Sequence, residues 1–191
     1  MHFLEVAEVE GHAQGLSAYT MAFIHGLLQT DAYASAIFAR SYPRLPAHEV
    51  DLRVGFRLRR WHIIRSEPTP FAAYIHEAAL RMRFSGTKVQ AEQLGALLEA
   101  SEQPNISIRV VTFDVDTIPL PSENFTYVEG PIQELDTVQA DSGLGSLLFD
   151  APAHTARFRS LLAQIGSAAL SEEESREFIR SIKKDMESQN A

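Results

Sequence analysis

The chain has 191 residues, 45% of them hydrophobic and 22% charged, with a formal net charge of −8. That composition excludes a disordered, collagen-like or disulfide-scaffold chain, and the absence of cysteine removes thiol catalysis, cysteine-ligated zinc and iron–sulfur clusters. No apolar run nears the ~20 residues of a membrane helix and no basic-then-apolar leader opens the chain, so a single soluble, cytoplasmic domain over residues 1–191 is expected, of roughly 16 Å radius of gyration.

In chain order, residues 3–19 read as a helix. Thr30 is a good N-cap for a second helix through Tyr33, Ala36 and Ile37. Pro43 and Pro46 punctuate the link to a third, over about 47–65. Pro68 and Pro70 then break the chain before Phe71–Ile75, an expected strand. Thr87 and Gln90 have capping-box spacing and open a helix that buries Val89, Leu94, Leu97 and Leu98, ended by Pro104-Asn105. Ile106, Ile108 and Val110 alternate with Ser107 and Arg109, the pattern of a half-buried strand. Phe125–Glu129, Leu135–Ala140 and Leu144–Phe149 are further strands, separated by Gly130-Pro131 and by Asp141-Ser142-Gly143 turn chemistry. Two helices finish the chain. The last opens with Ser171 and Glu174, a second capping box, and carries Phe178, Ile179, Ile182 and Met186 on one side. Strands grouped between helices, without βαβ alternation, predict an α+β fold: N-terminal helices, a central mostly antiparallel sheet and two C-terminal helices.

The charge is unevenly spread. Residues 40–65 hold seven arginines against Glu49 and Asp51, a local balance of +5, while the rest of the chain carries −13. Residues 101–150 contain nine acids and only Arg109. Most of such a surface repels nucleic acid, whose binding rests on neutralised phosphates. The geometry of the basic helix argues the same way. At 100° per residue, Glu49, Arg53, Arg57, Arg60 and Ile64 share one stripe, with Val50, Val54, Leu58 and Trp61 on one flank and Leu52, Phe56 and Ile63 on the other. Asp51, Gly55, Arg59, His62 and Arg65 take the solvated side. Arginines set among apolar flanks demand partners, because burying an unpaired guanidinium costs several kcal/mol. Two readings stay open: a structural ion pair with Glu49 or Glu77, or the polar floor of a ligand cavity with Trp61 as an aromatic wall.

None of the strong enzymatic motifs is present. Gly143-Leu144-Gly145 lacks the rest of a dinucleotide fingerprint, and no phosphate-loop or Gly-x-Ser-x-Gly elbow occurs. His76-Glu77 is half of a zinc-protease motif, but Leu80 stands where the second histidine belongs. Asp114 and Asp116 read as a solvated loop. The seven histidines show no ligand spacing, so neither a metal nor a cofactor is expected.

Several stretches together resemble a large actinobacterial family of unknown function. Gly26-Leu27-Leu28-Gln29-Thr30 with Tyr33-Ala34 is similar to its P-G-L-L-Q-T-x-x-Y-A segment. The likeness continues through Arg57-Leu58-Arg59-Arg60, Glu77-Ala78-Ala79-Leu80-Arg81, Glu92-Gln93-Leu94 with Leu97-Leu98, Pro104-Asn105-Ile106-Ser107-Ile108, and Ala168-Ala169-Leu170-Ser171 with Glu174-Ser175. In that family the domain follows an XRE-type helix-turn-helix, as in WhiJ-like, antitoxin-like transcriptional regulators, and is regarded as the sensing or partner-binding half. No helix-turn-helix precedes the similar region here, so an excised half or a stand-alone relative is expected. His25 replaces the family's proline, Trp61 replaces the glutamine after the second arginine, and His76 precedes the shared glutamate.

The resemblance implies an effector domain that binds a small molecule or small partner protein, with no direct nucleic-acid or membrane contact, as a monomer or homodimer. Gln29, Tyr33, Arg57, Arg60, Trp61 and Glu77 are then the expected cavity lining, with Arg60 and Glu77 orienting the ligand and Tyr33 and Trp61 packing on it. The rival reading is a stand-alone enzyme acting on a biosynthetic intermediate, with His25 or His76 as general base and Glu77 as acid. A third is an adaptor whose acidic 101–150 region meets a basic partner.

Overall fold

The structure, a computed structural model, describes residues 2–65, 69–116, 124–142 and 145–188. Pro68, Gly143 and Leu144, used above as sequence signals, lie outside the described residues. The elements run α1 (His2–Gly11), β1 (Gly15–Thr20), a 3-10 turn (Gly26–Leu28), α2 (Asp31–Ala39), α3 (Ala47–Arg59), a helical turn α4 (His62–Arg65) and β2 (Phe71–His76). They continue with α5 (Glu77–Arg81), α6 (Thr87–Ala100), β3 (Ile106–Val111), β4 (Phe125–Glu129), a second 3-10 turn (Gln133–Leu135), β5 (Thr137–Ser142), β6 (Gly145–Phe149), α7 (Pro152–Ala168) and α8 (Glu172–Ser188).

The fold is α+β. One six-stranded sheet has the order β3-β2-β1-β4-β5-β6, and three of its five pairings are antiparallel. β1 joins two halves. It pairs in parallel with β2 (Leu16 opposite Phe71) and antiparallel with β4 (Leu16 opposite Val128). The expected helix over 3–19 is therefore corrected: α1 stops at Gly11, and Gly15–Thr20 is a central strand. Its residues are buried on both faces, so it lacks the clean polar alternation that marks a half-exposed strand. With β1 in place, the β1–β2 and β2–β3 connections are βαβ crossovers, a correction to the expected absence of βαβ alternation.

Register and alternation assign the two faces. On the first, Leu16, Ala18, Phe71, Ala73, Ile75, Ile106, Ile108 and Val110 pack beneath α6 and α8, which supply Leu94, Leu97, Ile179, Ile182 and Met186. On the second, Tyr19, Val111, Phe125, Tyr127, Val138 and Ala140 pack beneath Leu162, Ile165 and Ala169 at α7. At about 2 kcal/mol for each fully buried aliphatic side chain, these two layers supply the main drive for folding.

The outer edge of β3 is closed by the α7–α8 connection and the first turn of α8: Leu170 N donates to Val110 O at 2.9 Å and Val110 N to Ser175 Oγ at 2.9 Å. On the far edge strand β6, Leu147 and Leu148 are exposed.

Helix ends follow local chemistry. Tyr33 N donates to Thr30 Oγ1 (3.3 Å), and Ser171 with Glu174 forms the reciprocal box, Glu174 N to Ser171 Oγ (3.3 Å) and Ser171 N to Glu174 Oε2 (2.9 Å). The box expected at Thr87 and Gln90 does not form. Gly86 caps α6 at φ 86°, a conformation that favours glycine, and Gln90 Nε2 instead donates to the carbonyls of Ala79 (3.1 Å) and Leu80 (3.0 Å). The helix expected over 47–65 breaks at Arg60-Trp61, where Arg60 N and Trp61 N bond to carbonyls three residues back. Among the described residues no helix is long and apolar enough to cross a membrane.

Candidate functional site

The first face of the sheet changes character at β1. Over β1–β3 it is apolar and covered. Over β4–β6 the same face carries Thr126, Gln139, Asp141 and Ser146, in register from strand to strand. Above this polar half lie the Phe23–Gln29 segment and α3. Between floor and roof is a cavity of about 520 Å³.

The roof is held by side-chain amides. Gln93 on α6 accepts from Thr30 N (2.7 Å) and donates to Leu28 O (2.8 Å), clamping the segment's C-terminal end. Gln29 Nε2 donates to Ile24 O (2.6 Å), which turns its Oε1 toward α3 to accept from Arg57 Nη1 (2.8 Å). His25 caps the 3-10 turn: its Nδ1 accepts from Leu27 N (3.3 Å), so the ring proton sits on Nε2 and is donated to Thr126 Oγ1 (3.0 Å). Desolvation of this ring, reinforced by the nearby charges of Arg60 and Arg57, lowers its pKa to about 3. It is a neutral tie between roof and floor.

Three arginines face the cavity in different states. Arg53 pairs with Glu49 at 3.5 Å on the exposed side. Arg60, only 8% exposed, reaches Glu10, 1% exposed, through Nε to Oε2 (2.7 Å) and through Nη2 to Oε1. Burial pushes the Glu10 carboxyl up and the Arg60 charge opposes it. This is a buried, bidentate ion pair. Arg57 has no carboxylate within ion-pair distance among the described residues. Its guanidinium lies 4.6 Å over the Phe38 ring, and its buried Nε has no partner and packs beneath Gly26, where a Cβ would stand 3.5 Å away. Desolvation, then the neighbouring Arg60, lowers its pKa to about 10.

Opposite them, Asp141 Oδ1 accepts from Ser146 Oγ (3.1 Å) and Gln139 Nε2 (3.2 Å). Phe23, Ile24 and Ile37 give the cavity its apolar lining.

Of the residues expected at a ligand site, Gln29, Arg57 and Arg60 come together here, with His25. Tyr33, Trp61 and Glu77 do not line this cavity. Tyr33 is fully buried, its hydroxyl accepting from Ile24 N at 3.3 Å and its ring on Phe84. Trp61 is instead covered by the Arg65 guanidinium, 4.2 Å from its ring. Glu77 accepts from Arg81 Nε (2.5 Å) and Phe113 N (3.0 Å), bracing the loop after β3. The partner of Arg60 is thus Glu10, neither Glu49 nor Glu77, because α1 folds back onto the end of α3.

The expected acid/base trio is not assembled. The His25 ring lies 5.1 Å from that of Phe71 at the start of β2, on the first sheet face. His76 ends that strand on the second face, its Nδ1 accepting from Ala78 N (3.2 Å) and its ring 5.4 Å from Phe113. Five residues of strand span about 16 Å.

Sequence reasoning missed Thr20, Thr126, Gln139, Asp141 and Ser146 as lining residues. Part of their signal was there: Thr137, Gln139 and Asp141 alternate with Val138 and Ala140, which marks a strand with a polar face.

No curated protein and no solved structure matches the chain. A family profile does match, over residues 3–181 and so nearly the whole length: the chain belongs to the family described as a domain of unknown function, DUF5753.

Proposed function

We propose that the chain is the sensing domain of a WhiJ-like transcriptional regulator, or a stand-alone relative of one, acting in the cytoplasm. It binds a small molecule in the cavity between α3 and the polar half of the sheet. The observation that carries this reading is the cavity itself, about 520 Å³, where arginines, His25, Asp141 and side-chain amides converge beside an apolar part formed by Phe23, Ile24 and Ile37. Binding biases the position of α3, which contributes Arg53 and Arg57 to the wall and whose outer residues Asp51, Leu52 and Arg59 are exposed. That outer face then acts on an adjoining DNA-binding domain, a small partner protein or a second copy of the chain. The chain itself makes no nucleic-acid contact.

His25 supports this reading over acid/base catalysis. Its lone pair is occupied by Leu27 N, and it holds the wall in place instead of facing a substrate as a free base.

Native mass spectrometry of freshly purified protein tests the proposal. A mass excess that vanishes on denaturation is expected, and Ser146→Trp, which fills the cavity from β6 without opening the core, should abolish it. Protein that is always empty, with cavity amides unmoved by any small molecule, would remove this function.

A further inference from the structure

Within the sensing reading, on which this inference rests, the geometry points to a ligand class: a singly charged organic carboxylate on a compact apolar body, with Arg57 as its counter-ion. One of the three positive charges at the cavity is left without a carboxylate in contact among the described residues. Arg60 is neutralised by Glu10 and Arg53 is engaged by Glu49. Arg57 bonds only to a neutral acceptor, Gln29 Oε1, and lies on an aromatic face, Phe38, while Asp141 and Glu10 act on it at longer range. A half-buried guanidinium with no carboxylate in contact is costly in the empty state, and an incoming anion reduces that cost.

The donors still open on Arg57 are fixed by its packing. Nε is sealed beneath Gly26, and one Nη1 hydrogen is used by Gln29. The other Nη1 hydrogen and the Nη2 pair remain, a fork that matches the two oxygens of a carboxylate. Gln29 stops the fork from turning, because its own amide is anchored on Ile24 O.

The rest of the cavity restricts what carries the carboxylate. Phe23, Ile24 and Ile37 accept an apolar body. Asp141 on the facing strand repels a second negative charge, which disfavours polyphosphates and dicarboxylates that span the cavity. With Ser146 and Gln139 it offers hydrogen-bond groups to a donor at the ligand's far end. The ligand therefore lies with its acid toward α3 and its donor end toward β5.

Acid and amide pairs that differ only in charge test this directly: indole-3-acetate against indole-3-acetamide, and benzoate against benzamide. Binding is followed by titrating the backbone amide resonances of Gly26, Gln29, Thr126 and Gln139. The acids should bind at least about tenfold tighter than their amides, the equivalent of one charge-assisted hydrogen bond, and Arg57→Gln should erase the difference. The wild-type ratio decides even where that variant folds poorly. Equal binding of acid and amide overturns the carboxylate assignment and leaves the sensing function standing. Resonances unmoved by all four compounds at millimolar concentration also overturn it; where the purified chain is empty by native mass spectrometry as well, the sensing function falls with it.

Discussion

Arg60 and Glu10, 50 positions apart, share two hydrogen bonds with both side chains out of water. The pair fastens α1 to the junction between α3 and α4, at the cavity wall. Its role is to fix the wall: the Arg60 charge is already met by Glu10, whereas Arg57 has no carboxylate in contact among the described residues.

Breaking that pair on one side should be far worse than removing it. Glu10→Ala and Arg60→Ala should each lower stability by about 3–5 kcal/mol in urea unfolding, since each strands a buried charge. The double variant Glu10→Leu, Arg60→Leu should recover most of the loss. A single-variant loss below 1 kcal/mol would place both groups in water.

Stability should also depend on His25. Its folded pKa of about 3 lies below the unfolded value of about 6.5, so between those limits the unfolded chain binds more protons. Stability therefore falls as pH drops from about 6.5 toward 3, by at most about 1.4 kcal/mol per pH unit from this group. His25→Asn should flatten that slope in denaturant titrations across pH 4–6. An unchanged slope would mean that the imidazole is hydrated.

Gln93 is expected to behave as a clamp. Gln93→Ala leaves Thr30 N and Leu28 O without their partner and should cost about 2 kcal/mol, with faster hydrogen exchange concentrated between residues 24 and 30. Uniformly faster exchange across the whole chain would show instead that the residue serves the core at large.

On the second face, the Tyr127 hydroxyl donates to Asp136 (2.5 Å) and Arg159 reaches both. Burial would raise the Asp136 pKa, but bonds from Tyr127, Gly130 and Arg159 prevail and hold its carboxyl below the usual range. Because the folded pKa is depressed, this stabilisation is present at neutral pH and is lost as acid protonates the group. Tyr127→Phe should cost about 1–2 kcal/mol at pH 7 by thermal melting and less at pH 3. A loss that does not vary with pH would remove Asp136 from that role.

What the sequence discloses here is what local chemistry controls. The caps at Thr30 and Ser171 and the apolar stripe of α8 depend on residues within a few positions, and they stand as read. The inward setting of Arg57 and Arg60 was legible too, because it needs only the helical period. Their partners were not. Whether an inward arginine meets Glu10 or remains free depends on how α1 returns to α3, which no local pattern encodes. The same applies to β1: residues apolar on every side give no period, and its two neighbours are distant in sequence. The floor of the cavity needed the register of β4, β5 and β6 before Thr126, Gln139 and Ser146 could be placed side by side.

The position of β1 also sets an order of events at the ribosome. Its parallel neighbour begins at Phe71 and its antiparallel neighbour at Phe125, so the first strand made is among the last to be enclosed. Until β4 emerges, the Gly15–Thr20 segment has an open edge on one side and the cavity has no floor. Such distant pairings are slow to close and leave strand edges exposed meanwhile. A growing chain of this protein has all of the cavity's lining only once β6 has been added.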